Sequence, residues 1–121
     1  MMTHGPPKDI LDWVGRAPGV TTVGCHALVR AVSRARPLLH CFGHIHEAHG
    51  ATVVTWKDDK EKIGADAISD LSPQPNAFPI SSKHSIKFGT QTLMVNAAIM
   101  DVNYNPRNSP WLVELELPCT K

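Results

Sequence analysis

Histidine is the residue type that stands out. The chain has seven, and four of them, His40, His44, His46 and His49, fall within ten consecutive positions. His44 and His46 are separated by a single isoleucine and follow Gly43. Imidazole is the commonest protein ligand for zinc, manganese or iron near neutral pH, because it is largely neutral there and presents a lone pair. A glycine ahead of the pair permits the tight backbone that would aim both rings into one cleft. The competing reading is that the two rings only hydrogen-bond within a loop. A further histidine, His4, sits in Thr3-His4-Gly5-Pro6-Pro7, where the prolines stiffen the backbone and disfavour a helical Gly5. His46-Glu47-Ala48-His49 is one residue short of the His-Glu-x-x-His zincin motif, and Gly43 and Gly50 leave no room for the helix that motif needs. The three cysteines, Cys25, Cys41 and Cys119, are odd in number and share no Cys-x-x-Cys spacing, which argues against a disulfide framework or a thiolate zinc site.

These side chains need elements to hold them. Residues 27–36 carry Leu28, Ala31, Val32 and Ala35 on one stripe, with Arg30, Arg34 and Arg36 off it, as an amphipathic helix would, and Pro37 ends it. The arginines read as a solvated helix face rather than a phosphate grip. Residues 38–42 form a short, mostly apolar run stopped by Gly43, which suits a strand buried on both faces. Residues 51–56, rich in Thr and Val, predict a second strand, and residues 90–98 a third. Between them, residues 57–84 hold a charged run and three prolines with little apolar periodicity, and read as a surface excursion. Residues 103–110 are dense in turn formers. Trp111, Val113, Leu115 and Leu117 then alternate with other residues at the period of a half-buried strand. If a strand preceded Thr3, that strand, the helix and residues 38–42 would form a parallel unit whose loops, bearing His4 and His44, leave the same sheet edge.

Composition narrows the class of protein. A length of 121 residues fits one domain, and 12 Lys+Arg against 11 Asp+Glu give a net charge of +1. With charges so balanced and no basic run, a strong nucleic-acid or anionic-membrane partner is not expected. No apolar stretch approaches the roughly 20 residues needed to cross a bilayer. The first residues lack the basic head and apolar core of a secretory signal, so a cytoplasmic location is the expectation.

Gly43-His44-Ile45-His46-Glu47 is preceded by Arg36-Pro37-Leu38-Leu39-His40-Cys41-Phe42 and, further back, by Thr3-His4-Gly5-Pro6-Pro7 and Gly24-Cys25. Together these resemble the C-terminal half of the calcineurin-like metallophosphoesterases, most closely their cyclic-nucleotide phosphodiesterase-like branch. Met94-Val95-Asn96-Ala97-Ala98, Asn103-Tyr104-Asn105-Pro106 and Ser109-Pro110-Trp111-Leu112-Val113 look like the same branch. The resemblance covers most of the chain apart from residues 57–84. It implies an α/β fold, the C-terminal half of an α/β/β/α sandwich of mixed sheets, with residues 1–121 as one partial domain and one main amphipathic helix. Half of such a sandwich would leave an apolar sheet face exposed.

By the same resemblance, His4 and His44 would hold one metal of a dinuclear pair and His46 the other, the cofactors being two divalent or trivalent ions such as Mn, Fe or Zn. The implied reaction is hydrolysis of a small phosphoester, above all a phosphodiester, and the branch is associated with cyclic nucleotides. Two such ions can activate a shared water and stabilise both the attacking and the leaving oxygen. The family's upstream half supplies an Asp-x-His pair, a bridging Asp and a Gly-Asn-His element with the catalytic His. None of these is found here, and neither Asp9 nor Asp12 has a histidine two residues on. No catalytic residue is therefore identified in this sequence. The alternatives are a non-catalytic metal-binding or protein-interaction remnant of such an enzyme, and a structural α/β domain whose histidines bind nothing. The natural substrate and the oligomeric state, a homo-oligomer included, stay open.

The remaining residues have ordinary readings. His40 within its strand suits a hydrogen-bonded core or interface position, and His49 a solvated loop rather than the cleft entrance. Glu47 fits equally a hydrogen-bond acceptor for a ligand imidazole and an exposed position. His26 and His84 read as structural or solvent-facing. Asn96 and Asn103, near strand ends, are placed where they could touch a substrate, but turn and cap duties account for them.

Overall fold

The computed structural model describes residues 1–57, the backbone of 65–70 and 80–83, residues 86–117 and residue 119. The element order is β1 (Trp13–Val14), β2 (Thr21–Thr22), α1 (His26–Ala35), β3 (Leu39–Phe42), β4 (Gly50–Trp56), β5 (Ala65–Asp70), β6 (Ile80–Lys83), β7 (Gln91–Asn96) and β8 (Trp111–Glu114), with one 3-10 turn at His46–Ala48 between β3 and β4. The fold is α/β.

The main sheet runs β3-β7-β4-β5. β7 pairs parallel with β3, His40 opposite Met94 and Phe42 opposite Asn96, and antiparallel with β4, Gly50 opposite Asn96. The sheet is therefore mixed, as the resemblance implies. Strand periodicity sorts its side chains onto two faces. Phe42, Val54, Trp56 and Met94 pack with Ile10 and with Leu28, Val29 and Val32, the apolar stripe of α1. Val32 is fully buried, and α1 ends where Arg36 takes the left-handed conformation (φ 43°) just before Pro37. On the opposite face Ala51, Leu93 and Val95 pack with Leu39, Val53, Trp111, Val113 and Leu115. β8 pairs parallel with β6, and an apolar groove of about 330 Å³ opens between β3, β7 and β8, lined by Leu39, Cys41, Val95, Trp111 and Val113 among others.

The chain start completes the frame. Met2 forms a parallel bridge with Cys41, the Cys41 N–H donating to the Met1 carbonyl (3.1 Å) and the Thr3 N–H to the Cys41 carbonyl (3.1 Å). Residues 1–3 thus lie along the free edge of β3, running the same way, and the loops carrying His4 and His44 leave the same edge.

Two sequence expectations change. The interval 57–84 is not one continuous loop, because β5 pairs antiparallel with β4 and β6 parallel with β8. β5 reads Ala-Asp-Ala-Ile-Ser-Asp, a composition poor in β-branched and aromatic residues, so pairing with β4 rather than local preference makes it a strand. Residues 58–64, 71–79 and 84–85, His84 included, lie outside the described residues. The strands β1 and β2 carry no periodic signal, being two residues each. Among the described residues both faces of the main sheet carry apolar partners, and of the exposed large apolar residues Ile99 borders the groove beside β3 and β7. Met1 and Met2 sit on the edge, Leu112 on the outward side of β8, and Ile99, Val102 and Tyr104 in the loop after β7. Among the described residues no helix is long and apolar enough to cross a membrane.

Candidate functional site

The residue after β3 is Gly43, and the chain then turns through His44 at φ 70°. A left-handed conformation at a non-glycine residue costs about 1–3 kcal/mol and persists only where its surroundings impose it. Here they do. The Gly43 N–H donates to the His4 carbonyl (3.0 Å) and the Ile45 N–H to the Gly43 carbonyl (2.8 Å). Ile45 is buried between the two histidines, and its carbonyl accepts a 2.8 Å bond from Asn96 Nδ2. Asn96, fully buried at the end of β7, also donates to the Leu11 carbonyl (3.3 Å) and accepts from the Ala98 N–H (3.1 Å). One amide thus ties the His44–His46 loop to the sheet.

This frame brings two of the three expected ligands together. His4 Nε2 and His44 Nδ1 are 3.2 Å apart, the ring centroids 4.6 Å apart and the planes tilted by 44°. Two imidazoles holding one cation at about 2.0–2.1 Å, at a tetrahedral angle, place their nitrogens about 3.3 Å apart. The observed separation therefore suits a shared ion as well as a direct N–H···N hydrogen bond. Both rings are solvent-accessible, as ligand exchange requires.

His46 is held differently. Its Nδ1 lies 3.0 Å from the Asp101 carbonyl, and since a carbonyl only accepts, Nδ1 carries the proton and Nε2 the lone pair. This is how ligand histidines are usually oriented, one ring nitrogen donating to the protein and the other left for a metal. Tyr104 stands edge-on to the ring, centroids 5.1 Å apart, with its own backbone left-handed at φ 62°. The loop bearing both partners is braced by Asp101, whose Oδ1 accepts from the N–H groups of Asn103 (2.8 Å) and Asn105 (3.0 Å). The Asn105 amide first, then the Asn103 amide and the Arg107 guanidinium, holds the Asp101 carboxyl below the usual carboxylate range. Among the described residues no group of three or more His, Cys, Asp or Glu side chains is gathered as a metal cage.

The other histidines have separate duties. His49, expected to be solvated, is half-buried against Trp111 and donates from Nε2 to the Ser109 carbonyl (3.2 Å). Burial lowers its pKa, and the Ser109 bond offsets this in part. His40 is fully buried, as a core reading requires, with Nε2 2.9 Å from Thr3 Oγ1, and burial lowers its pKa to about 4. His26 opens α1 in an exposed position. Arg36 is a structural anchor rather than a solvated side chain, donating to the carbonyls of Gly89 (3.1 Å) and Ser33 (3.2 Å). Sequence reasoning missed Tyr104 as the neighbour of His46 and Thr3 as the partner of His40. A turn-rich segment gives no sign of which ring its tip will meet.

No family model matches the chain. Over 119 residues, 98% of this chain, it is 34% identical to metallophosphoesterase domain-containing protein 1 of Homo sapiens, and identical to the same extent to that of Mus musculus. Each match occupies 25% of the relative, so the chain spans about a quarter of the length of these curated relatives. A shorter match, 45% identical over 58 residues, covers 46% of this chain and 5% of a probable rhamnogalacturonate lyase C of Emericella nidulans. The similarity that runs along nearly the whole chain is to the metallophosphoesterase domain-containing proteins, and it points to a phosphoesterase-like family.

Proposed function

We propose that this chain supplies the imidazole part of a calcineurin-like metallophosphoesterase site, within the C-terminal half of that family's sandwich. In this reading His4 and His44 hold one ion and His46 a second. The observation that carries it is the 3.2 Å approach of His4 Nε2 to His44 Nδ1, the separation two ligands of one cation adopt. His46 supports it through a tautomer fixed by the Asp101 carbonyl, which leaves the lone pair on Nε2. The similarity to metallophosphoesterase domain-containing proteins supports the same family.

When bound, a pair of such ions supplies a nucleophilic water and electrostatic stabilisation for phosphoester, and by preference phosphodiester, hydrolysis. The residues of this chain orient and retain. Asn96 fixes the loop between the two ligand histidines, Asp101 fixes the ring of His46, and Tyr104 walls one side of that ring. Carboxylate and asparagine ligands of the kind the family uses would come from sequence this chain does not contain. The proposed substrate is a small phosphoester, cyclic nucleotides included.

A second reading rests on a specific observation: among the described residues no third acidic, thiol or imidazole group completes the His4–His44 pair. A two-ligand site binds an ion weakly and leaves the chain a non-catalytic metal-binding remnant. Assay with added Mn²⁺ against bis(4-nitrophenyl) phosphate separates the two. Turnover that disappears in His44→Ala supports the enzyme, metal uptake without turnover supports the remnant, and neither uptake nor turnover refutes both.

A further inference from the structure

A half-buried chain of hydrogen bonds joins His40 to the turn that carries His4, and the metal reading does not use it. Thr3 Oγ1 donates to the Gly5 carbonyl two residues on (2.9 Å). That bond takes the only proton of the hydroxyl, so its 2.9 Å contact with His40 Nε2 must be one in which the imidazole donates. His40 is therefore the Nε2–H tautomer, and its Nδ1 is buried with no hydrogen-bond partner among the described residues. A fully buried side chain with one orphaned nitrogen is costly to keep for packing alone, since an apolar residue would fill the space without the unpaired lone pair.

What the chain of bonds holds is the turn that carries His4. The Thr3 hydroxyl closes the loop over His4 by fixing the Gly5 carbonyl, and the α-carbon of Gly5 faces the ring of His44, where an added Cβ would lie 3.8 Å from Cδ2. The backbone of Thr3 is already tied to β3 through Cys41, so the imidazole of His40, one residue earlier on the same strand, reaches the hydroxyl from a fixed base. We infer that Thr3 and His40 are positioning residues for the His4–His44 pair, the relay His40 Nε2–H to Thr3 Oγ1–H to Gly5 carbonyl setting the approach of the two rings. The inference deepens the metal-site reading and rests on it only for the effect on metal affinity.

The test uses the intact chain and two readouts. The first, without metal, is the nuclear Overhauser contact between the His4 and His44 rings. It is present in the wild type, lost in Thr3→Val and His40→Ala, and retained in Thr3→Ser and His40→Gln, whose side-chain N–H reaches the place of the imidazole Nε2–H. Amide resonances of β7 and α1 report that each variant is folded. Thr3→Val is nearly isosteric and serves where the buried His40→Ala fails to fold. The second readout is Mn²⁺ titration, where Thr3→Val weakens binding about 10-fold or more and Thr3→Ser does not. A ring contact that persists in folded Thr3→Val, or is absent from the wild type, overturns the inference. Loss of the ring contact in Thr3→Val in a chain that takes up no Mn²⁺ leaves the relay standing and refutes the metal reading instead.

Discussion

Asn96→Ala should cost about as much stability as a large core truncation, although it removes no sizeable apolar group. The native side chain is fully buried and makes three bonds, donating to the Ile45 (2.8 Å) and Leu11 (3.3 Å) carbonyls and accepting from the Ala98 N–H (3.1 Å). Alanine leaves two carbonyls and one N–H facing an interior they cannot leave. At about 1–1.5 kcal/mol for each of the two shorter bonds and less for the longest, the loss is about 3 kcal/mol. Against a total stability of about 5–15 kcal/mol this is a large fraction. With an unfolding entropy of about 0.25 kcal/mol per kelvin for a chain of this length, Tm falls by about 12 °C. Urea unfolding followed by tryptophan fluorescence measures the change, with the slope unaltered if the denatured state is the same. A loss below about 1 kcal/mol at unchanged slope would refute the reasoning, because the three groups would then be satisfied by water. If His44 and His46 bind metal as proposed, the variant should also weaken that binding, since Ile45 is the residue between them.

Other perturbations test separate parts of the structure. The neutral burial of His40, whose pKa falls from the ordinary 6.5 to about 4, makes the unfolded chain bind the extra proton in that window. Stability is fully present above about pH 6.5 and is lost as pH falls towards 4, by up to about 3 kcal/mol; His40→Gln should flatten the profile measured by urea titration across that range. Gly24→Ala should destabilise by about 2 kcal/mol or more in thermal unfolding, because its Cβ would meet Asp12 Oδ2 at 2.7 Å and crowd the Pro7 carbonyl, while the Gly24 N–H is itself tied to Asp12 Oδ2 (2.8 Å). Met94→Ala, fully buried between α1 and the sheet, should cost about 2–5 kcal/mol in the same assay without altering the His4–His44 ring contact.

Periodicity exposed those elements whose local preference and tertiary role agree. The stripe of Leu28, Val32 and Ala35 foretells α1 to within a residue at each end, and the apolar runs foretell β3, β4 and β7. β8 is legible from Trp111, Val113 and Leu115, but Leu117 ends 71% exposed, because the alternation outlasts the strand. β5 is illegible because its residues favour no strand by themselves; pairing with β4 decides. The parallel run of residues 1–3 beside β3 appeared only as a condition, since so short a segment has no period.

At the site, His4 and His44 stand 40 positions apart in the sequence and were paired there by resemblance; the structure pairs them through the edge of β3. The partner of His46 was hidden because it is a backbone carbonyl, which no residue type announces. Asn96 looked like a turn residue and is a buried clamp, because a strand end can place a polar side chain beneath a loop as readily as beside it.

The most direct measurement is calorimetric titration of Mn²⁺ into the intact chain near neutral pH, beside His4→Ala and His44→Ala. If the two imidazoles share a cation, the wild type releases or takes up heat on binding and each single variant loses most of that affinity. Binding of equal strength in all three proteins, or in none of them, would contradict it.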